Sequence, residues 1–554
     1  MRTLRTISAL LMTGILVLGL TGCSAKNDVV SSSNAIKVML STTVQSLDTA
    51  VANDGEAFEV IADCMDGLTQ MDESGSAAPA LAESWEVSSD GLTYTFHLRD
   101  AKWTNGDPVT AGDFVFAWTR CIKENEAYGY LFTDIAQIEG AQALMDGTGS
   151  SIGVTALDSK TLQVKLAVPV SYFESLLYFP TFYPINENFY KSIPEGTYGT
   201  SADTILCNGA YKVTEFTPGG PGISVVKNPD YYNASSVSLD GIRYQVVGSS
   251  DNAMAAFNNK TLDVVTISGK QVVAAQSNPE LASNVKVVGA GYMWYLTFNQ
   301  TTHNASGYLG NKNMRLAITN AIDRKTLVDK CVMDGSLPTY TAVPPQFAVS
   351  TTTGKDFSED QSKFAEYCGF NVDNARSYLD KAKLGLGQQT FTFTLIYGNN
   401  EGDEVYNVAT EIKAEIEKNL PGVTINLEGM PKKDRLTKIQ NDDYEIALTR
   451  WGPDYADPMT YLAMWTTGNS NNYGLWSNTQ YDSIIKDCTT GAYVTNYDAR
   501  WSALLDAETI VMEEAVIAPL YTKANATLIS SDVVDIDFHP VAINRVYKRT
   551  KCNR

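Results

Sequence analysis

Histidine is scarce in this chain. There are 3 in 554 residues, His97, His303 and His539, too far apart to form a local acid–base or metal motif. No HExxH, phosphate-binding loop or dinucleotide glycine pattern occurs. Cysteine is not scarce, but it is unpatterned. Cys64, Cys121, Cys207, Cys331, Cys368, Cys488 and Cys552 are scattered and include no CxxC, so neither a metal site nor a required disulfide framework is expected. Several read as buried thiols, which pack as small apolar residues. Positive charge is also short, with 42 Lys and Arg against 63 Asp and Glu, for a net charge of -21. Such a chain repels nucleic acid, and that partner is set aside. No cofactor is implied. Apart from the N-terminus, no segment approaches the about 20 apolar residues of a membrane span. Gly149-Ser150-Ser151-Ile152-Gly153 has the form of a nucleophile elbow. That device needs a strand before it and a helix after it. Here a helix-like run, Glu139 to Met145, precedes and a strand, Leu162 to Leu166, follows, so a loop is expected. Carboxylate pairs such as Asp442-Asp443 read as solvated charge. A secreted hydrolase would therefore lack its catalytic constellation.

What is present begins at the N-terminus. Arg2 and Arg5 precede an apolar run, Ile7 to Leu20, too short to span comfortably. Leu20-Thr21-Gly22-Cys23 follows and resembles the lipobox of bacterial lipoproteins. That resemblance implies cleavage after residue 22, with Cys23 receiving a diacylglyceryl group. Two acyl chains suffice for stable anchoring. Residues 1–22 are then a signal peptide, and residues 23–35 include a Ser-rich tether. The expected location is the extracellular face of the cell membrane, of a Gram-positive bacterium.

The mature chain is too long for one core, so two or three domains are expected. A hydrophobic fraction of 44% and a mean hydropathy of -0.15 suit a soluble globular protein. Ile36 to Leu40 reads as a strand and Phe58 to Met65 as helical. Trp85 to Val87 and Leu92 to Leu98 form a hairpin, with Leu92, Tyr94, Phe96 and Leu98 on one face. Thr110 and Asp113 resemble a capping box for a helix carrying Phe114, Ala117 and Trp118. Thr161 to Leu166 is a strand, and Tyr211 to Phe216 with Ile223 to Val226 a second hairpin. A new section begins near Tyr292 to Leu296. Asn313 to Lys330 and Asp403 to Leu420 have helical periodicity. Val423 to Leu427 and Tyr444 to Leu448 are strands, the polar run Lys432 to Gln440 between them a helix, together a βαβ-like unit. Arg500 to Glu514 is a last long helix, and Ala515 to Tyr521 a last strand.

One stretch stands out chemically: Thr449-Arg450-Trp451-Gly452-Pro453-Asp454-Tyr455-Ala456-Asp457-Pro458. It lies beyond the carboxyl end of an expected strand, where open α/β sheets bind ligands. A carboxylate, Asp454, sits between Trp451 and Tyr455, an arrangement suited to a cation. The alternative is an Asx-turn before a Pro-containing loop.

The run Ala82 to Arg120 (AESWEVSSDGLTYTFHLRDAKWTNGDPVTAGDFVFAWTR) resembles the signature region of the family 5 extracellular solute-binding proteins. These are the oligopeptide- and dipeptide-binding components of ABC importers. Further matches are Val44-Gln45-Ser46-Leu47-Asp48, Asn208-Gly209-Ala210-Tyr211, Asn228-Pro229-Asp230-Tyr231-Tyr232, Ala321-Ile322-Asp323-Arg324 and Asp454 to Pro458. The resemblance implies an α/β, two-lobed periplasmic-binding-protein-like fold (type II, cluster C) with an extra subdomain in lobe I. Lobe I would hold residues 36–66, 179–292 and 522–554, the inserted subdomain 67–178, and lobe II 293–521. Two crossings between lobes would form the hinge.

The resemblance also implies a monomeric, non-enzymatic peptide binder that delivers its guest to an ABC permease. By analogy with related peptide binders, Asp454 holds the guest's α-ammonium. Asn53, Asp54 and Gly55 would form the lobe I side of this contact. There the chain departs from the enterobacterial oligopeptide binder, which has Glu where Asn53 stands. Trp451, Tyr455, Tyr473 and Trp476 are candidate pocket walls, with packing inside lobe II as the alternative for Tyr473 and Trp476. Arg450 is one candidate for the guest's carboxyl end, although its register matches no family arginine. Other guests remain open within the family: a sugar, a metal chelate, another small cation or a signalling peptide. Few histidines argue against direct nickel ligation.

Overall fold

A computed structural model describes residues 32–554, apart from 53, 73–76, 125–127, 302–306, 351, 360, 454, 540 and 542. Two lobes share one eleven-stranded sheet. Its order runs Val423–Met430, Phe391–Gly398, Ile446–Trp451, Val285–Phe298, Ile517–Ile529, Val264–Ile267, Ala35–Leu40, Gly241–Val246, Gly222–Lys227, Tyr211–Glu215, with the short strand Leu337–Pro338 paired to Ile517–Ile529 off this path. Among the described residues, the two long strands in the middle join the halves of this order. Val285–Phe298 pairs with Ile446–Trp451 through Met293 to Phe298. Ile517–Ile529 pairs with Val264–Ile267 through Ala526 to Ile529. The register between the two long strands breaks from Gly289 to Met293, and Gly291 there has φ +68°. A side chain would strain that backbone, and a bulge frees part of the ladder and bends the pair.

The second lobe is organised by three parallel strands. Phe391–Gly398 lies between Val423–Met430 and Ile446–Trp451 and pairs parallel with both. The expected βαβ-like unit of the latter two is present, with Phe391–Gly398 inserted between its strands. Phe391–Gly398 is buried on both faces, with Phe393 and Leu395 in the large core of this lobe and Ile396 in a smaller cluster on the other side. A strand with two apolar faces belongs in the centre. The helices Asp403–Asn419 and Lys432–Gln440 complete the unit.

The expected single helix from 313 to 330 is corrected. Lys312–Asn320 ends, and Asp323 caps a new turn by accepting from Lys325 N and Thr326 N. Buried Arg324 donates to the carbonyls of Thr319, Ile322 and Pro519. It thereby satisfies backbone acceptors that a helix terminus leaves open.

A separate four-stranded antiparallel sheet has the order Ala82–Val87, Thr93–Leu98, Thr161–Lys165, Val154–Ala156. Tyr94, Phe96 and Leu98 face its core, as their alternation requires. The helix Ala111–Glu124 starts where Asp113 accepts from Thr110 N at 2.9 Å. Residues 147 to 153 form an irregular segment between the helix Ala141–Met145 and the strand Val154–Ala156. The seven described cysteines are free thiols. Among the described residues no helix is long and apolar enough to cross a membrane.

Candidate functional site

A cavity of about 400 Å³ opens between the lobes, beyond the carboxyl ends of the parallel strands. That volume is in the range of small-ligand sites. The first lobe contributes an aromatic wall. Phe58 comes from the helix Gly55–Cys64, and its ring lies 5.6 Å from Tyr128 and 5.1 Å from Phe179, which are themselves 5.1 Å apart. Tyr292 comes from the bulged part of the long strand Val285–Phe298, so the irregularity itself lines the site.

The second lobe contributes a cationic wall of Lys432, Arg435 and Arg450, with Trp451 and Tyr473 beside it. The local sequence explains the grouping. Lys432, Arg435, Leu436 and Ile439 recur at helical spacing and share one face of Lys432–Gln440. Ile439 is buried and anchors that face, which aims the basic residues at the strand ends. Arg435 is 1% exposed. It donates to Leu448 O at 2.6 Å and to Glu401 Oε2 at 2.9 Å. Glu401 reaches it from the loop after Phe391–Gly398. A Cβ on Gly398 would overlap the Glu401 carboxylate, so glycine there makes the approach possible. Arg450 lies 3.7 Å from the same carboxylate. Its guanidinium also sits over the rings of Tyr292 and Trp294, at 5.2 and 5.4 Å. A Cβ on Gly452 would strike the Tyr292 ring. Burial is the main influence on Arg435 and draws its pKa down, while Glu401 opposes the shift.

The segment after 454 is pinned separately. Arg500 makes a two-pronged ion pair with Asp457, with both contacts at 2.8 Å. Tyr455 stacks on Tyr172 at 4.2 Å and 14°.

The cavity brings together Gly55, Arg450, Trp451 and Tyr473 of the residues singled out in the sequence. Asp54 caps the helix that begins at Gly55, accepting from Ala57 N at 2.7 Å. Burial pushes its carboxyl upward against that hydrogen bond. Tyr455 is buried against Tyr172, away from the cavity lining. Trp476 packs edge-on against Tyr481 at 5.2 Å in the core, so its place is a packing one. Cys23, Asn53 and Asp454 lie outside the described residues. Sequence reasoning missed Lys432, Arg435, Glu401, Tyr292 and the aromatic wall. The helical spacing of Lys432, Arg435 and Leu436 was the available signal.

Two lobes with a cavity lined from both sides are the architecture of solute-binding proteins. Residues 76–473 match the bacterial extracellular solute-binding proteins, family 5, middle region, and the chain belongs to that family. It is 32% identical to a dipeptide-binding protein of Lactococcus lactis over 95% of both chains. Among solved structures it resembles Listeria monocytogenes OppA bound to peptide, at 30% identity and TM-score 0.72, covering 94% of this chain and 99% of that one. It also resembles the unliganded open form of MppA, a periplasmic murein tripeptide binding protein, at 25% identity and TM-score 0.78, covering 94% and 97%.

Proposed function

We propose that this chain captures oligopeptides between its lobes and delivers them to an ABC permease, working as a monomer tethered to the outer face of the membrane through Cys23. One observation carries the reading. A cavity walled by both lobes occurs in a chain that matches a dipeptide-binding protein along 95% of both lengths. In this reading lobe I comprises residues 36–66, 179–292 and 522–554, with the subdomain 67–178 inserted, and lobe II comprises 293–521. The lobes close by bending the two long strands at the irregularity near Gly291, a hinge motion known for binding proteins.

Asp454 holds the guest's α-ammonium, following Trp451, Gly452 and Pro453 out of the strand end. A charge-assisted hydrogen bond there contributes about 1.5–3 kcal/mol. A carboxylate left unpaired in a closed cleft is costly, so the site selects a cation. The guest's main chain adds as a strand, which gives affinity without reading side chains. Asp54 and Gly55 at the head of their helix support this reading from the lobe I side. Titration calorimetry with a peptide mixture and with its N-acetylated counterpart tests it. Strong heats from the free peptides and weak heats from the acetylated ones are expected. Equal binding of both would remove the amine anchor, and no binding of either would remove the peptide reading.

A further inference from the structure

Two of the buried cysteines meet. Cys64 closes the helix Gly55–Cys64, whose other end lines the cavity through Gly55 and Phe58. Cys207 precedes Asn208-Gly209-Ala210, the segment that leads into the strand Tyr211–Glu215. Each is 1% exposed, and each thiol is the other's hydrogen-bonding neighbour. The chain on either side holds them there. Gly209 N donates to Cys64 O at 2.9 Å, and Asp66 N donates to the side-chain oxygen of Asn208 at 2.7 Å. A Cβ on Gly209 would lie 2.7 Å from the Cys64 carbonyl carbon, so glycine is what lets the two segments come this close. Cys207 is fixed from another direction as well. Its N–H donates to Thr104 Oγ1 at 3.2 Å, and its carbonyl accepts from Thr104 N at 2.9 Å. Cys368 and Cys552, by contrast, donate to the carbonyls of Tyr340 at 3.0 Å and Ser33 at 3.7 Å. The Cys64 and Cys207 sulfurs are unbonded in this structure. Two thiols gain little from such a contact, since S–H is a weak donor and sulfur a weak acceptor. A bond between them gains more, and the family is extracellular, where disulfides persist.

We propose that Cys64 and Cys207 are a disulfide-forming pair, oxidised by a low-molecular-weight disulfide outside the cell, and that their bond staples the cavity-lining helix to the segment before Tyr211–Glu215. One cysteine thiolate attacks a sulfur of the oxidant and expels one thiol, leaving a mixed disulfide. The second cysteine, deprotonated as it attacks, displaces the other. One S–S bond forms in the protein, the oxidant's S–S bond breaks, and two electrons and two protons leave on the two released thiols. Both sulfurs are buried, so the oxidant reaches them as the chain folds, and the finished bond is shielded. The bond joins the two points between which the chain builds the whole four-stranded sheet. A crosslink across so long a segment restricts the unfolded chain strongly. The proposal does not depend on what the cavity binds.

The test is a thiol count and a peptide map on the full mature chain, unfolded and reduced, then refolded with oxidised glutathione. Alkylation after denaturation should find two of the seven described thiols blocked. Digestion without reductant should release a crosslinked pair of peptides holding Cys64 and Cys207, which reductant separates. Cys64→Ala and Cys207→Ser should each leave the other cysteine open to alkylation. Reductant should lower the thermal midpoint of wild type by about 5–10 °C and leave the midpoints of both variants where they were. All seven thiols still open after refolding, or a bond mapped to other cysteines, would overturn the proposal. A midpoint indifferent to reductant, in a wild type shown to carry the Cys64–Cys207 bond, would overturn the stapling role. The wild-type thiol count decides the matter even where a variant does not fold, and every outcome leaves the peptide reading untouched.

Discussion

Replacing Arg500 with Met should loosen the segment that follows the binding loop. Arg500 is 1% exposed. Its Nη atoms meet the two Asp457 oxygens at 2.8 Å, and its Nε donates to Cys488 O at 3.1 Å. The pair ties Tyr497–Glu513 to the turn that carries Tyr455. Tyr172 bridges to this turn, stacked on Tyr455 and with the Arg500 guanidinium 5.8 Å from its ring. Removing one member of a buried pair costs about 3–5 kcal/mol, because the other charge is left behind. Asp457 keeps a hydrogen bond from Met459 N and its side chain is 11% exposed, so the lower end, about 3 kcal/mol, is expected. That is more than a hundredfold in the local opening equilibrium. Hydrogen exchange of residues 455–462 reads it directly. The double replacement Arg500→Met with Asp457→Leu should recover much of the loss, since well-packed apolar pairs often substitute for buried ion pairs. A single variant within about 1 kcal/mol of wild type, or a double variant no better than the single one, would refute the argument.

Asp454→Asn should weaken peptide binding about tenfold to a hundredfold, the factor for losing about 1.5–3 kcal/mol, as measured by calorimetry. Unchanged affinity would move the amine anchor elsewhere. Stability should also fall as pH rises through neutrality, in part through Glu508. Burial raises its carboxyl to about 7 from the model-compound 4.5, so between those values the folded chain holds a proton that the unfolded chain releases. The contribution is complete below about 4.5 and lost as pH passes 7, at most about 3 kcal/mol. Glu508→Gln should flatten that part of the profile in denaturant titrations at pH 5 and pH 8, and an unaltered slope would contradict the assignment. Cys23→Ser should release the protein from the membrane fraction to the medium or leave it unprocessed. Cell fractionation that finds it still lipid-linked would rule out this anchor.

Much of the fold was legible because local rules and tertiary packing agree. The alternation of Tyr94, Phe96 and Leu98 is a face preference, and the four-stranded sheet buries that face. Lys432–Gln440 was readable as a helix despite its polarity, since it lies between two strands. The misses have physical reasons. Local periodicity runs continuously through residues 313–330, whereas the break depends on Asp323 capping one turn and Arg324 reaching a carbonyl of Pro519, nearly two hundred residues away. The strand ending near Tyr521 continues to Ile529 because Val264–Ile267 extends its ladder, a pairing with no local signal. The same holds for the cationic wall. Arg435 looks like solvated charge until Glu401 arrives from another loop and Gly398 leaves room for it. Tyr455 and Trp476 illustrate the reverse case, aromatics near a binding motif that the core claims first.

The central claim is that the cleft between the lobes holds a peptide. Mass spectrometry of the small molecules released on denaturing protein purified from its native host tests that claim most directly. The account predicts short peptides with free amino termini. A sugar, a metal chelate or another non-peptide solute recovered in stoichiometric amount would contradict it.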